Sequence, residues 1–107
     1  MATLYLSAPE EKSQGGSGFY RDFYTILQSG VGPDYAIYAS LIGQVRAGIS
    51  VVVFDRNRRL RAEGVVFAVT PKPSNRVQRY DVEIRGLATV SYTNPPSVNR
   101  CGVAVLP

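Results

Sequence analysis

The chain has 107 residues, and 12 basic against 8 acidic residues give it a net charge of +4. At this length we expect one compact domain over residues 1–107, because two domains would each have too little chain to form a core. The sequence contains no His and no Trp and only one Cys, which excludes His-dependent catalytic triads and His/Cys zinc centres. We therefore predict a protein with no cofactor, no metal and no enzymatic activity.

The hydropathy pattern predicts a chain that does not span a membrane. Hydrophobic residues make up 45% of the sequence, enough for a globular core, but no run approaches the ~18 apolar residues of a membrane-spanning helix. The first residues, Met1 to Tyr5, lack the basic region of a signal peptide. The sequence thus predicts a soluble, cytoplasmic protein without a membrane partner.

The first elements are expected to be a strand, a loop and a helix. Thr3–Ser7 alternates apolar and polar residues, as a half-buried strand does. Residues 8–18 are polar and glycine-rich, which predicts a flexible loop. From Phe19 the apolar residues recur every fourth position as far as Leu27, which predicts a helix ending at Gly30. Its aromatic and β-branched content would also suit a strand.

A second helix is expected to follow directly. Asp34 is placed to cap its first turn, and Ile37 and Leu41 begin an apolar series with a spacing of four residues. Gly48 is a natural stop at its carboxyl end. Gly43 lies inside this segment and weakens the helix by about 1 kcal/mol relative to Ala, which indicates close packing or an earlier boundary.

The second half of the chain is expected to form a sheet. Its apolar runs are short, rich in β-branched residues and separated by turn sequences. Gly64 interrupts one run where the apolar face changes, which predicts a bulge. The predicted strands are Ser50–Phe54, Leu60–Val69, Arg79–Arg85, Leu87–Tyr92 and Gly102–Leu106. Together with the first strand they predict an α+β fold: a small, mostly antiparallel barrel of six strands, with two helices between the first and second strands.

The positive charge is concentrated in one segment of the chain. Residues 46–61 contain five arginines and one acid, Asp55, whereas the rest of the chain is neutral. Arginine binds phosphate through a planar fork of donors, so a turn rich in arginine is a candidate contact for nucleic acid or another polyanion. The alternative is a turn that is merely solvated. The candidate contact residues are Arg46, Arg56, Arg58, Arg59 and Arg61.

Tyrosines form a second group of candidates. A tyrosine ring can stack on a base or line a pocket, and its hydroxyl can orient a ligand. Packing in the core is the alternative explanation for each of them. The candidate pocket residues are Tyr5, Tyr20, Tyr24 and Tyr38. Cys101, beside Arg100 at the start of an apolar run, is interpreted as a small buried residue.

The segment from the predicted second helix into the hairpin resembles the centre of PUA-like barrels, the group of PUA, ASCH and EVE domains. Val45–Gly48 ends the predicted helix, Ile49 to Arg56 forms a strand, and Arg61 to Val66 carries a glycine followed by valines. In these domains a helix delivers a Gly-Asp step into a strand, and Ile49 stands where the family often has Asp. The resemblance implies a domain that recognises RNA, or a modified or flipped base, in a barrel cleft. In its size the chain also resembles, more loosely, the products of mobile bacterial (integron) gene cassettes.

Two functional hypotheses follow from the sequence, ahead of a third in which a carboxylate such as Asp34, Asp55 or Glu63 makes the protein an enzyme. The first is a small binding module that contacts nucleic acid or a nucleotide-like ligand through the arginine hairpin and a barrel cleft. The alternative is a homodimeric or partner-binding protein, in which the apolar strand Gly102–Leu106 adds to the sheet of another chain.

Overall fold

The computed structural model describes residues 2–8, 22–74 and 76–107. Within these residues six strands and two helices form an α+β fold, which confirms the predicted class. Most of the predicted loop lies outside the described residues, except for Ala8, which is buried and donates its backbone N–H to the carbonyl of Phe54. The elements are β1 (Thr3–Ser7), α1 (Phe23–Ser29), β2 (Val31–Ala36), α2 (Ala39–Ile42), β3 (Ser50–Asp55), β4 (Leu60–Lys72), β5 (Arg79–Thr89) and β6 (Val103–Leu106).

The strands form one mixed sheet that curls into a half-barrel. Their order is β2-β5-β4-β3-β1-β6, and β2 and β6 are its two edges, so the expected closed barrel is not formed. Among the described residues, β1 and β3 pair in parallel and the other neighbouring strands pair antiparallel. The parallel pair arises because α1, β2 and α2 lie between β1 and β3 in the chain, long enough for a crossover connection.

The core lies on the face of the sheet that α1 covers. Leu4 and Leu6 of β1 are fully buried on this face, beside Val51 and Val53 of the neighbouring β3. Side chains in a strand alternate between faces, so the two leucines point to the core and Tyr5 between them points to the other face. Phe23 and Ile26 of α1 complete the layer and are also fully buried. Each such side chain stabilises the fold by about 1.5–3 kcal/mol.

The first helix is confirmed as Phe23–Ser29, shorter than the helix predicted from Phe19 because Asp22 is its extended N-cap, and both of its ends are capped. The carboxylate of Asp22 accepts hydrogen bonds from the backbone N–H and the hydroxyl of Thr25, at 3.1 and 2.6 Å. Gly30 adopts the left-handed conformation and donates its N–H to the carbonyl of Ile26. Gly30 therefore ends α1 as the sequence predicts.

No helix in the described part of the chain is long and apolar enough to cross a membrane.

The long second helix predicted from Asp34 to Gly48 is wrong. Its first residues belong to β2, in which Tyr35 pairs with Tyr80 of β5. Asp34 has a φ of 61° at a bulge of this strand, a conformation incompatible with a helix cap. Only the four residues of α2 are helical, and Gly43 ends them. Since β2 separates α1 from α2, the expected placement of two helices between the first and second strands is also wrong.

The predicted hairpin of β3 and β4 is confirmed, and Gly64 lies where the pairing of β4 with β5 shifts. A Cβ at Gly64 would lie 2.7 Å from a side-chain carbon of Ile84 and 2.8 Å from the carbonyl oxygen of Arg85. This close approach requires glycine. The predicted break of the following strand after residue 86 does not occur, because Gly86 takes a φ of 67° inside a continuous β5.

Candidate functional site

The turn between β3 and β4 presents arginines on the protein surface. Residues 56–59 are all exposed, and Arg59 takes a left-handed φ of 56°. The neighbouring acid, Asp55, is only 5% exposed, and one of its carboxylate oxygens accepts the backbone N–H of Asn57 at 3.0 Å. The buried carboxylate therefore stabilises the turn, and the arginines are the charges on the outer surface of the turn.

Two of the predicted contact arginines hold the β5–β6 connection (residues 90–102) against the sheet. The Nη2 of Arg56 donates to the carbonyl oxygens of Pro95, at 3.2 Å, and Pro96, and its guanidinium lies 5.4 Å from the centre of the Phe54 ring. The Nη1 of Arg61 donates to the carbonyl of Thr93 at 3.1 Å. These carbonyls lie in irregular backbone, where a sheet ladder does not satisfy them. Arg56 and Arg61 thus stabilise the fold around the turn.

The remaining contacts separate the arginines further by role. Arg61 also pairs with Glu63 at 3.0 Å, and the Arg61 side chain is only 11% exposed. Arg59 lies over the ring of Tyr92, with its guanidinium carbon 5.0 Å from the ring centre. This cation–π contact restrains the guanidinium. Arg58 and Arg59 are both exposed in this turn.

Arg46 does not belong to the same surface. It lies before β3, whereas the turn follows β3, and the six-residue strand spans roughly 17 Å. Arg46 lines a separate cavity of about 430 Å³ with the α2–β3 connection and Ala2. The sequence placed Arg46 with the hairpin because it is near in the chain, but the structure separates them.

The predicted tyrosine pocket is not assembled by the described residues. Tyr5 lines a groove of about 220 Å³ on the sheet face opposite α1. Tyr24 lies on α1, where it is 52% exposed and packs edge-on against Phe23. Tyr38 follows β2, and its hydroxyl accepts a hydrogen bond from the thiol of Cys101 at 3.6 Å. These three residues occupy three different regions, and Tyr20 lies outside the described residues.

A basic cleft that the sequence did not predict lies beside Cys101. It has a volume of about 330 Å³ and lies between the end of β2, the β4–β5 turn and Cys101, two residues before β6. Distant parts of the chain meet here, so no local pattern in the sequence indicates it. The cleft is lined by Ala36, Ser74, Arg76, Val77, Arg79 and Cys101.

Tyr38 has a perturbed ionisation next to this cleft. The hydrogen bond with Cys101 and the negative charge that the thiol carries when ionised raise the pKa of Tyr38 above its ordinary value, and desolvation adds to the effect. The positive charge of Arg100 acts in the opposite direction. Arg100 therefore contributes positive potential on this side of the molecule.

The strand predicted to add to another sheet is an edge strand, but part of its edge is already occupied. The backbone N–H of Val103 donates to the side chain of Asn99 at 3.1 Å, and its carbonyl accepts the N–H of Asn99 at 3.0 Å. Because backbone groups alternate along a strand, Val105 is the next residue whose N–H and carbonyl face away from β1. Leu106 beside it is 40% exposed.

No protein family model, no curated protein and no solved structure matches this chain. Within the described residues, no three His, Cys, Asp or Glu side chains lie close enough together to hold a metal ion.

Proposed function

We propose that this protein is a non-enzymatic module that binds nucleic acid through the turn of residues 56–59. The observation that carries the proposal is the arrangement of charge at this turn. Arg58 and Arg59 are exposed, while the carboxylate of Asp55 is buried and bound to the backbone of Asn57. A phosphate approaching the turn meets guanidinium groups and no exposed carboxylate within the turn itself.

The cation–π pair of Arg59 and Tyr92 favours a nucleic acid as the polyanion. A guanidinium restrained on a ring loses less conformational entropy when it binds phosphate. The half-buried Tyr92 also brings an aromatic ring close to the phosphate contacts, where a base could stack. In this proposal Arg56 and Arg61 position the segment that carries Tyr92, and Arg58 and Arg59 contact phosphates.

The resemblance to PUA-like domains implies the same ligand class, although the helix it includes ends at Gly43 and does not reach Gly48. Gly48 and the glycine of β4 lie in the hairpin region that carries the resemblance, and Gly48 has a φ of 99° immediately before the strand. The half-barrel is open rather than closed, so a ligand cleft of the PUA type stays a prediction.

Binding to fluorescently labelled single-stranded RNA, measured by anisotropy over a salt series, tests the proposal. Two phosphate contacts predict a slope of about −1.4 for log affinity against log salt, since each contact on a single strand contributes about −0.7. The double substitution Arg58→Gln and Arg59→Gln is expected to weaken binding at least about tenfold.

Arg46→Gln is the matched control, because it removes one positive charge on a different surface. It is expected to leave affinity within about twofold. The proposal fails if the unaltered protein does not bind at low salt, or if Arg46→Gln weakens binding as much as the double substitution. Equal binding to heparin and to RNA would show that the turn binds polyanions in general and not nucleic acid specifically.

Self-association through β6 is a second proposal, favoured by the outward-facing backbone of Val105 and the exposed Leu106. Sedimentation over a concentration series would show a dimer that Leu106→Lys dissociates. A monomer at all concentrations excludes this proposal and leaves the nucleic-acid proposal intact.

A further inference from the structure

The basic cleft beside Cys101 has the size and composition of a site for a small ligand. Its volume of about 330 Å³ falls within the range of ~300–1,000 Å³ that is typical of small-molecule sites. It is lined on one side by the β4–β5 turn, which contributes Ser74 and Arg76, and on another by Cys101. The cleft is separate from the exposed turn of residues 56–59, none of which lines it.

Positive charge dominates this cleft. Arg76 is exposed, and its guanidinium makes no hydrogen bond or ion pair with any residue that the structure describes. Arg79 is held by one bond, from its Nη1 to the carbonyl oxygen of Asp34 at 2.8 Å, and its other donors remain for a ligand. The six lining residues include no carboxylate. Two arginines therefore line the same volume, without an opposing acid among the residues that line it.

The walls of the cleft combine polar and apolar surface. Ala36 and Val77 supply aliphatic surface. The hydroxyl of Ser74 donates to the carbonyl of Val77 at 2.8 Å and accepts the backbone N–H of Arg76 at 3.4 Å, so it shapes the turn that lines the cleft. The fixed guanidinium of Arg79 and this turn give the cleft a preformed geometry. A ligand with an anionic group and a small apolar part matches this distribution.

We propose that this cleft binds a small organic phosphate monoester, with its phosphate between Arg76 and Arg79 and its organic part against Val77 and Ala36. A phosphate monoester has three terminal oxygens and close to two negative charges at neutral pH, so it can engage two guanidinium forks at once. A carboxylate has two oxygens and is satisfied by one fork. The pair of arginines therefore favours phosphate.

Cys101 supplies a direct readout of ligand binding, since it lines the cleft and is the only Cys in the sequence. The rate at which it reacts with the uncharged reagent 4,4′-dithiodipyridine is measured as phenyl phosphate is added. Phenyl phosphate is expected to slow the reaction to a plateau, while phenol at the same concentrations has no effect. The proposal is overturned if phenyl phosphate gives no protection, or if phenol or benzoate protects equally well.

Arg76→Gln tests the anion contact without disturbing the fold, because its guanidinium has no partner in the described structure. It is expected to raise the dissociation constant of phenyl phosphate about tenfold or more. Arg58→Gln, which removes the same charge from the exposed turn, is expected to change it by less than about twofold. Unchanged affinity in Arg76→Gln overturns the proposal, whatever the outcome of the RNA experiments with the turn variants.

Discussion

The hydroxyl of Tyr35 donates a hydrogen bond to the backbone carbonyl oxygen of Ser7 at 2.8 Å. Tyr35 lies in the edge strand β2 and Ser7 in β1, and β5, β4 and β3 lie between these strands in the sheet. The bond therefore spans the inside of the half-barrel, which only the curl of the sheet makes possible. The ring of Tyr35 is 1% exposed, so apolar packing and this hydrogen bond join the two sides of the fold.

Tyr35→Phe is expected to lower the free energy of unfolding by about 1–2 kcal/mol. The substitution keeps the buried ring but leaves the partly buried carbonyl of Ser7 without this donor, which costs free energy. Urea denaturation followed by circular dichroism measures the loss, with an unchanged m-value. An unaltered midpoint would show that the bond contributes nothing to the closure of the half-barrel.

Gly64→Ala is expected to destabilise the protein by about 1–3 kcal/mol, because the new methyl group would overlap the carbonyl of Arg85 and the side chain of Ile84. Gly43→Ala is the matched control. Gly43 has a helical φ of −62° and nothing lies within 4 Å of an added Cβ, so this change is expected to be neutral or stabilising by up to about 1 kcal/mol. Equal melting temperatures for the two variants would contradict the close approach of β4 and β5.

The parts of the fold that follow from local sequence were predictable. Thr3–Ser7 alternates with period two, Gly30 ends α1, and the polar residues between β3 and β4 form the turn of a hairpin, all as expected. Each of these signals depends on residues within a few positions of one another. The assignment of Gly64 to a bulge succeeded for the same reason, because the apolar face changes at that residue.

The misassigned strand β2 shows where local sequence is insufficient. Ile37 and Leu41 have helical spacing, and Asp34 resembles a cap, so the pattern favoured a helix. The strand forms because Tyr35 pairs with Tyr80, and the backbone N–H of Asp34 donates to Asp81 at 2.9 Å. These partners lie more than forty residues away in the chain, and a window of helical length does not contain them.

The candidate site, like the fold, was predictable from the sequence only where it depends on residues close together in the chain. The sequence located the arginine turn, because clustered charge between two strands is a local feature. It did not show that Arg56 and Arg61 bind the carbonyls of Thr93 and its neighbours, more than thirty residues later. The cleft at Arg76, Arg79 and Cys101 gave no sequence signal, since it forms only when the half-barrel brings the β4–β5 turn towards the start of β6.

Arg61→Gln is expected to lower stability by about 1–2 kcal/mol and to loosen the β5–β6 connection. The side chain is mostly buried, and the change removes its bond to Thr93 and its pairing with Glu63. Hydrogen exchange, compared between this variant and the unaltered protein, should accelerate more in residues 90–98 than in α1. Arg46→Gln, an exposed charge at the other end of β3, is expected to leave both stability and exchange unchanged. Faster exchange throughout the chain without a local effect would contradict a role for Arg61 in holding this segment.

The ionisation of Tyr38 is expected to respond in opposite directions to its two neighbours. Its pKa is raised by the hydrogen bond with Cys101 and by the charge of the ionised thiol, and is lowered by Arg100. Cys101→Ala should therefore move the pKa of Tyr38 down towards about 10, the ordinary value of tyrosine, whereas Arg100→Gln should move it further up. Absorbance of phenolate in an alkaline titration measures both, with Tyr38→Phe as the reference that identifies this residue among the seven tyrosines.

The raised pKa of Tyr38 also determines whether this residue stabilises or destabilises the fold as the pH changes. The folded protein holds the Tyr38 proton to higher pH than the unfolded chain does, because its pKa is raised. Tyr38 therefore stabilises the fold below a pH of about 10. This contribution is lost as the pH rises through the raised pKa. The stability of the unaltered protein should therefore fall more steeply above that pH than the stability of Tyr38→Phe. Parallel stability curves, or a Tyr38 pKa that moves in the same direction in Cys101→Ala and Arg100→Gln, would contradict the contact between Tyr38 and Cys101.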